Sequence, residues 1–131
     1  MKKIADKLSN LEKAFESLEL SVATPPTEDR DYGGIIQAFV SVYELTWKTL
    51  KAILEENGIE AAFPRVVFEE AFKAKIMEGN SIWKTIIEAR NLSTHTYDKK
   101  LAADLCARIK KEYVPIFRST LIKMKKYRMV K

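Results

Sequence analysis

The chain is poor in the residues that make turns and cross-links. Its 131 residues include one cysteine, four glycines and four prolines. A single cysteine excludes an internal disulfide, and scarce glycine and proline predict long secondary-structure elements with few turns. No apolar run approaches the roughly 20 residues of a membrane-spanning helix, so no membrane segment is predicted. No stretch alternates apolar and polar residues between turn signals, so no sheet is expected.

Familiar catalytic motifs are also missing. There is no glycine-rich phosphate loop and no dinucleotide-binding fingerprint. The only histidine, His95, and the only cysteine, Cys106, lie on different predicted elements, so they cannot form a zinc site of histidine and cysteine ligands. Cys106 lies in an apolar stripe and is expected to pack as a small hydrophobe. The sequence therefore predicts neither a metal nor a cofactor.

The amino terminus carries no recognisable export signal. The segment MKKIADKLSNLEK has lysines but lacks the apolar stretch that a secretory signal requires. We therefore expect a cytoplasmic protein. The length fits a single domain, residues 1–131, with one hydrophobic core.

Apolar residues at helical spacing predict an all-α protein. The predicted helices cover residues 3–22, 30–56, 64–77, 81–91 and 99–127. The segment ATPPTED separates the first two helices, residues 78–80 separate the third from the fourth, and Pro115 is expected to kink the last. Ser81 or Asn80 is the candidate cap of the fourth helix. The predicted architecture is an antiparallel up-and-down bundle of four or five helices.

Two of these helices carry expectations about individual side chains. In the second, Glu44 and Lys48 have the i, i+4 spacing of a surface ion pair. On the same helix Trp47 is expected to belong to the core or a subunit interface rather than to stack on a ligand. In the last helix the residues expected to face inward are Leu101, Leu105, Ile109, Ile116 and Leu121.

The positive charge is concentrated at the carboxyl terminus. The net charge is +5, and the last residues supply Lys123, Lys125, Lys126, Arg128 and Lys131 without an acidic residue among them. A basic tail suits a polyanion such as RNA. Basic residues also favour the end of a helix and keep it solvated, and this is the simpler interpretation.

The segment RNLSTHTY, residues 90–97, combines an arginine with the only histidine. Arg90 can clamp a phosphate, and His95 can move a proton near neutral pH. Together they are sufficient for cleavage of RNA without a metal, since RNA carries its own nucleophile, the 2′-hydroxyl. The alternative is a helix end whose residues cap carbonyls and pack against the bundle.

Spacing makes a structural prediction about this pair. On one straight helix a separation of five residues places two side chains about 140° apart. Arg90 and His95 can therefore meet only if the chain bends near Ser93–His95, or if a second subunit completes the site.

Three segments together resemble one known family. They are DYGGIIQAFVSVYELTWKTLK, FPRVVFEEAFKAKIM and WKTIIEARNLSTHTYD. Their order and spacing are similar to those of the nucleotidyltransferase substrate-binding subunits, the HepT-like members of the HEPN superfamily. The resemblance extends over roughly residues 4 to 122.

The resemblance implies a HEPN-like bundle that forms homodimers and binds a minimal nucleotidyltransferase of the MntA type, acting as antitoxin. It implies that Arg90 and His95 form the catalytic pair of a ribonuclease, with Asn91 as the polar residue that follows the arginine. It also implies that Tyr97 accepts AMP from the partner, which silences the nuclease.

Two other functions stay open at this point. One is a non-catalytic subunit that binds the nucleotidyltransferase and its substrate, with a possible groove at Trp83 and Thr94 beside Arg90, His95 and Tyr97. The other is a helical dimer that serves only as a scaffold.

Overall fold

Helices account for nearly all of the described backbone. The computed structural model describes residues 2–77 and 81–130. The helices are α1 (Lys2–Ala23), α2 (Asp29–Glu56), α3 (Pro64–Lys73), α4 (Ile82–Leu92), α5 (Lys99–Arg108) and α6 (Val114–Val130). A 3-10 turn at Ser93–His95 follows α4, and a π-helical segment at Ile109–Tyr113 joins α5 to α6. These residues contain no strand, so the predicted all-α antiparallel bundle is confirmed.

The connection between α1 and α2 is fixed by the residues that stop one helix and start the next. Pro25 and Pro26 cannot continue α1, and Asp31 lies in the first turn of α2. The Asp31 carboxylate accepts hydrogen bonds from the backbone N–H groups of Thr27 and Glu28, both at 3.0 Å. These two bonds, that of Thr27 first, lower the pKa of Asp31. The turn therefore holds α2 antiparallel to α1.

The core is organised around the wide apolar face of α2. Phe39 is fully buried at its centre. Its ring lies 5.8 Å from that of Tyr113 and 6.0 Å from that of Phe117, both contributed by the carboxyl-terminal part of the chain. Tyr43, one turn further along α2, lies 5.8 Å from the ring of Phe68 in α3. Helix α2 thus packs both against the carboxyl-terminal part of the chain and against α3, as expected for a helix with a wide apolar face.

The last helix differs from the expectation at Ile116. This residue is only partly buried, whereas Tyr113, Phe117 and Met124 are fully buried. The reason is the π-helical segment, in which the Val114 N–H donates to the Ile109 carbonyl instead of to the carbonyl four residues back. Because the π turn is wider, the buried face consists of Ile109, Tyr113 and Phe117.

The same segment accommodates Pro115, which has no N–H and would clash with a carbonyl of a regular α-helix. Proline was expected to kink the last helix. The structure has a π turn that ends two residues before the proline, and helical residues continue on both sides of it from Lys99 to Val130.

Basic side chains of α6 pair with acids of α1. Arg118 contacts Glu19 with an N–O distance of 2.7 Å, and Lys125 forms an ion pair with Glu12. Part of the basic tail is thus neutralised within the bundle.

Some expectations fall on residues whose structure is not described. They concern the helix stop at 78–80, the candidate cap Asn80, and the side chains of Arg128 and Lys131. Ser81 does precede α4 as its cap residue, but its side chain makes no capping hydrogen bond.

Across the two described ranges, no helix has the length and apolar character needed to cross a membrane.

Two glycines give a stability test of this fold. Gly34 lies inside α2, and an added Cβ would meet no atom within 4 Å. We expect Gly34→Ala to raise the free energy of unfolding by about 1 kcal/mol, because alanine is the better helix former. Gly58 follows the end of α2 with a φ of 78°, a conformation that strains an alanine. Gly58→Ala should therefore lower the free energy of unfolding by about 1 kcal/mol or more. Urea denaturation of both variants would check this, and equal shifts of the same sign would contradict the assigned backbone.

Candidate functional site

The segment 90–97 folds as the end of α4 followed by a bend. Helix α4 ends at Leu92, the 3-10 turn covers Ser93–His95, and α5 begins at Lys99. Asp98 caps α5, since its carboxylate accepts from the backbone N–H of Leu101 at 3.1 Å. Of the two alternatives that the five-residue spacing left open, a bend or a second subunit, the bend is present.

Arg90 lies in the last turn of α4 and reaches across to α2. Its side chain is 32% exposed, and its Nε donates to a Glu44 carboxylate oxygen at 3.2 Å. Its Nη1 donates to the Ser93 hydroxyl at 3.2 Å, and that hydroxyl donates to the Arg90 carbonyl. The guanidinium is thus held by two side chains from different elements.

The expected pair of Glu44 with Lys48 is not formed. Glu44 bonds instead to Arg90 and to the indole N–H of Trp47, which lies 3.1 Å from its other carboxylate oxygen. The Lys48 ammonium lies 6.0 Å from the centre of the Trp47 ring. Glu44 thus pairs with a residue 46 positions away rather than with the lysine in its own next turn, because the fold places the last turn of α4 beside α2.

His95 and Tyr97 form a second pair, outside the bundle. The His95 Nδ1 and the Tyr97 hydroxyl are 2.9 Å apart, and the rings meet edge to face at 5.6 Å between centres. Tyr97 is 80% exposed. Among the residues that the structure describes, no hydrogen bond reaches the other imidazole nitrogen, Nε2, which leaves this atom accessible to a ligand. The imidazole is therefore held by the tyrosine at Nδ1 and open at Nε2.

The other residues singled out in this segment differ in exposure. Asn91 and Thr94 are exposed, and the Thr94 hydroxyl donates to the Asn91 carbonyl at 3.2 Å. Trp83 is only 4% exposed and belongs to the core. The groove expected to include Trp83 is therefore not formed by this ring, because α4 turns it toward the interior.

An open cavity of about 350 Å³ lies beside Tyr97. It runs between the start of α2 and the start of α5, and its polar rim includes Asp29 and Lys99, whose charged groups are 3.6 Å apart. Tyr32 and Gly33 contribute to the wall from α2. The exposed tyrosine thus lies at the edge of a surface that has room for a small polar ligand.

Two nearby ionisable groups are unsuited to proton transfer. Burial, and next the Glu44 carboxylate, raise the pKa of Tyr43 to about 12, although Arg90 opposes this. Burial also raises the pKa of the Cys106 thiol to about 11, as expected for a packed cysteine. Both groups are neutral near pH 7. In residues 2–77 and 81–130 no group of three histidine, cysteine or acidic residues could hold a metal ion.

The structure places the predicted residues at the end of α4 and in the bend that follows it, but does not join them. No hydrogen bond connects Arg90 with His95 within the described part of the chain, since each has partners of its own. Sequence reasoning missed Glu44 as the partner of Arg90. The sequence near Glu44 gave one sign that this carboxylate has a fixed place. Trp47 lies three residues further along the helix, which brings its indole N–H within reach of the carboxylate.

Comparisons with known proteins agree with this fold. A family model described as "nucleotidyltransferase substrate binding protein like" matches residues 6–126. A protein of Haemophilus influenzae named "probable ribonuclease HepT" is 30% identical over 120 residues, which covers 78% of this chain and 81% of the relative.

Two solved structures are similar along nearly their whole length. One, from Haemophilus influenzae, is described as having the fold of a substrate-binding domain of a nucleotidyltransferase; its TM-score is 0.79 at 26% identity, with 90% of this chain and 98% of that one covered. The other, from Thermus thermophilus, has a TM-score of 0.80 at 26% identity, with 87% and 98% covered. With the family match over residues 6–126, these findings mean that the chain belongs to the nucleotidyltransferase substrate-binding protein-like family, whose HepT-like members it resembles.

Proposed function

We propose that this protein is a HepT-like toxin, a metal-independent ribonuclease that a nucleotidyltransferase partner silences by adenylylating Tyr97. The observation that carries the proposal is the His95 imidazole, held by Tyr97 at Nδ1 and open at Nε2, on the turn that follows Arg90. The relative named as a probable ribonuclease supports the same chemistry.

The reaction needs only groups that the segment supplies. The 2′-oxygen of the RNA attacks the adjacent phosphorus, the bond to the 5′-oxygen breaks, and a 2′,3′-cyclic phosphate and a 5′-hydroxyl result. One His95 takes the 2′-hydroxyl proton and another gives a proton to the leaving oxygen. Arg90 stabilises the added charge on the phosphoryl oxygens. A homodimer, which we propose as the active form, supplies two copies of each residue.

The Tyr97 hydroxyl can serve both tautomers of the neutral imidazole. A hydroxyl donates to Nδ1 when Nε2 carries the proton, and accepts from Nδ1–H when Nε2 is free to act as a base. The contact therefore orients the ring in either role.

Adenylylation would remove this support. The Tyr97 oxygen attacks the α-phosphorus of ATP in the partner's active site, pyrophosphate leaves, and the phenolic proton passes to solvent. The tyrosyl ester can no longer donate to His95, and it places a bulky anion where an RNA phosphate would approach. Modification of one oxygen thus opposes both proton transfer and substrate binding.

One observation favours a second function. Arg90 already has an acidic partner in Glu44, so part of its charge is neutralised in the single chain. A non-catalytic subunit that binds a nucleotidyltransferase and its substrate needs no free arginine. The ribonuclease should turn over RNA, whereas the binding subunit should not.

The nuclease is tested with purified protein, a fluorescently labelled RNA and EDTA. We expect Arg90→Ala and His95→Ala each to reduce cleavage by about a hundredfold or more, since each removes a group that acts on the transition state. Arg118→Ala is the matched control, because this arginine is also ion-paired but lies at the α1–α6 contact. Wild-type protein that leaves RNA intact yet binds the nucleotidyltransferase would favour the non-catalytic function.

The switch is tested by incubating the protein with ATP and a minimal nucleotidyltransferase from the same genome. Mass spectrometry should detect AMP on Tyr97 in the wild type and none in Tyr97→Phe, with cleavage lost in the modified wild type. The phenylalanine variant should itself cleave RNA more slowly, because the hydrogen bond to His95 is gone. AMP on another residue of Tyr97→Phe, with silencing intact, would contradict the assignment.

A further inference from the structure

Glu44 occupies a defined place between two donors. One carboxylate oxygen accepts from the Trp47 indole N–H at 3.1 Å, and the other accepts from Arg90 Nε at 3.2 Å. Because each oxygen has its own donor, the plane of the carboxylate is fixed. Trp47 is partly buried and packed against the core, so the chain of contacts begins on a rigid element.

The two partners of Arg90 leave one part of the guanidinium open. Glu44 takes Nε, and Ser93 takes Nη1. In the described ranges no side chain or carbonyl accepts a hydrogen bond from Nη2. Nη2 therefore retains its donors for a phosphate oxygen.

The location of the ion pair argues against a mainly stabilising role. The Arg90 and Glu44 side chains are 32% and 34% exposed, so solvent screens their attraction. The bundle core is formed by apolar contacts that do not involve them. What the pair does fix is the direction of a long, flexible arginine side chain that would otherwise sample many rotamers.

We propose that Glu44 is a positioning residue for Arg90, and that Trp47 orients Glu44 in turn. This inference rests on the proposed nuclease function, in which Arg90 contacts the phosphate. A pre-oriented guanidinium lowers the free energy of the transition state most effectively, since a misplacement of about 1 Å can reduce a rate a hundredfold. The opposite role is a carboxylate that competes with the RNA phosphate for Arg90, and the experiment separates the two.

The kinetic test compares Glu44→Ala, Glu44→Gln and the control Glu55→Ala. Glu55 lies on the same helix and pairs with Lys51 at 2.7 Å, away from Arg90. We expect Glu44→Ala to reduce kcat for RNA cleavage by about 10- to 100-fold with a smaller effect on KM. Glu44→Gln should retain an intermediate rate, because its amide keeps one acceptor oxygen for Arg90 or Trp47 but turns an NH2 donor toward the other. Glu55→Ala should match the wild type.

Faster cleavage or tighter RNA binding in both Glu44 variants would overturn the proposal, because it would identify the carboxylate as a competitor. Unchanged kcat in Glu44→Ala would overturn it as well. Thermal melting of each variant by circular dichroism shows whether a loss of rate comes from unfolding.

A second measurement does not depend on nuclease activity. In ¹⁵N-labelled protein the Arg90 Nε–H should give a sharp NMR signal, which is assigned by its absence in Arg90→Lys. The signal should broaden in Glu44→Ala and persist in Glu55→Ala. If the wild type cuts no RNA, the proposed function fails, and this signal alone decides whether Glu44 orders Arg90. A signal that is unchanged in Glu44→Ala would overturn the positioning role.

Discussion

The fully buried ring of Phe39 is the contact on which the bundle depends. It meets Tyr113 and Phe117 from the end of the chain, and its own helix presents Tyr43 to Phe68. Because these rings come from three separate regions of the sequence, their burial fixes the directions of α2, α3 and α6 together. The charged surface is then built on a frame that apolar contacts have already set.

That frame gives the two parts of the candidate site different environments. Arg90 is half-buried and bound to α2 through Glu44, whereas His95 and Tyr97 project from the turn between α4 and α5. A phosphate-binding group gains from being held in one direction. A proton-transfer group gains from access to solvent and substrate. For the ribonuclease that we propose, the bend at Ser93–His95 would provide both within six residues of chain.

The sequence predicted the helices well because each has an apolar stripe at helical spacing, and the starts of α2 and α5 were marked by the preceding prolines and by Asp98. Which residues of α6 face inward could not be predicted in the same way. A π turn adds a residue without any pattern of its own, so Ile116 was placed inward although Phe117 is the buried residue. Proline at 115 signalled a disturbance of the helix but not its form.

In the candidate site, residue types and order singled out the side chains of interest, but not their partners. Local spacing favoured Lys48 for Glu44, and only the fold reveals Arg90 as the partner across helices. Trp83 was expected at a possible groove because helical spacing places it on the same face as Arg90, yet its ring is buried in the core. Contacts between distant segments depend on how helices cross, which spacing within one helix does not encode.

The π turn before Pro115 has a consequence for sequence comparison. A π turn is one extra residue held within an otherwise continuous helix, so the flanking turns keep their faces whether or not it is present. A relative whose helix is regular at this point would lack the extra residue, and its alignment with this chain would require a one-residue gap inside a helix. Such a gap, normally a sign of misalignment, would here record the presence or absence of the π turn.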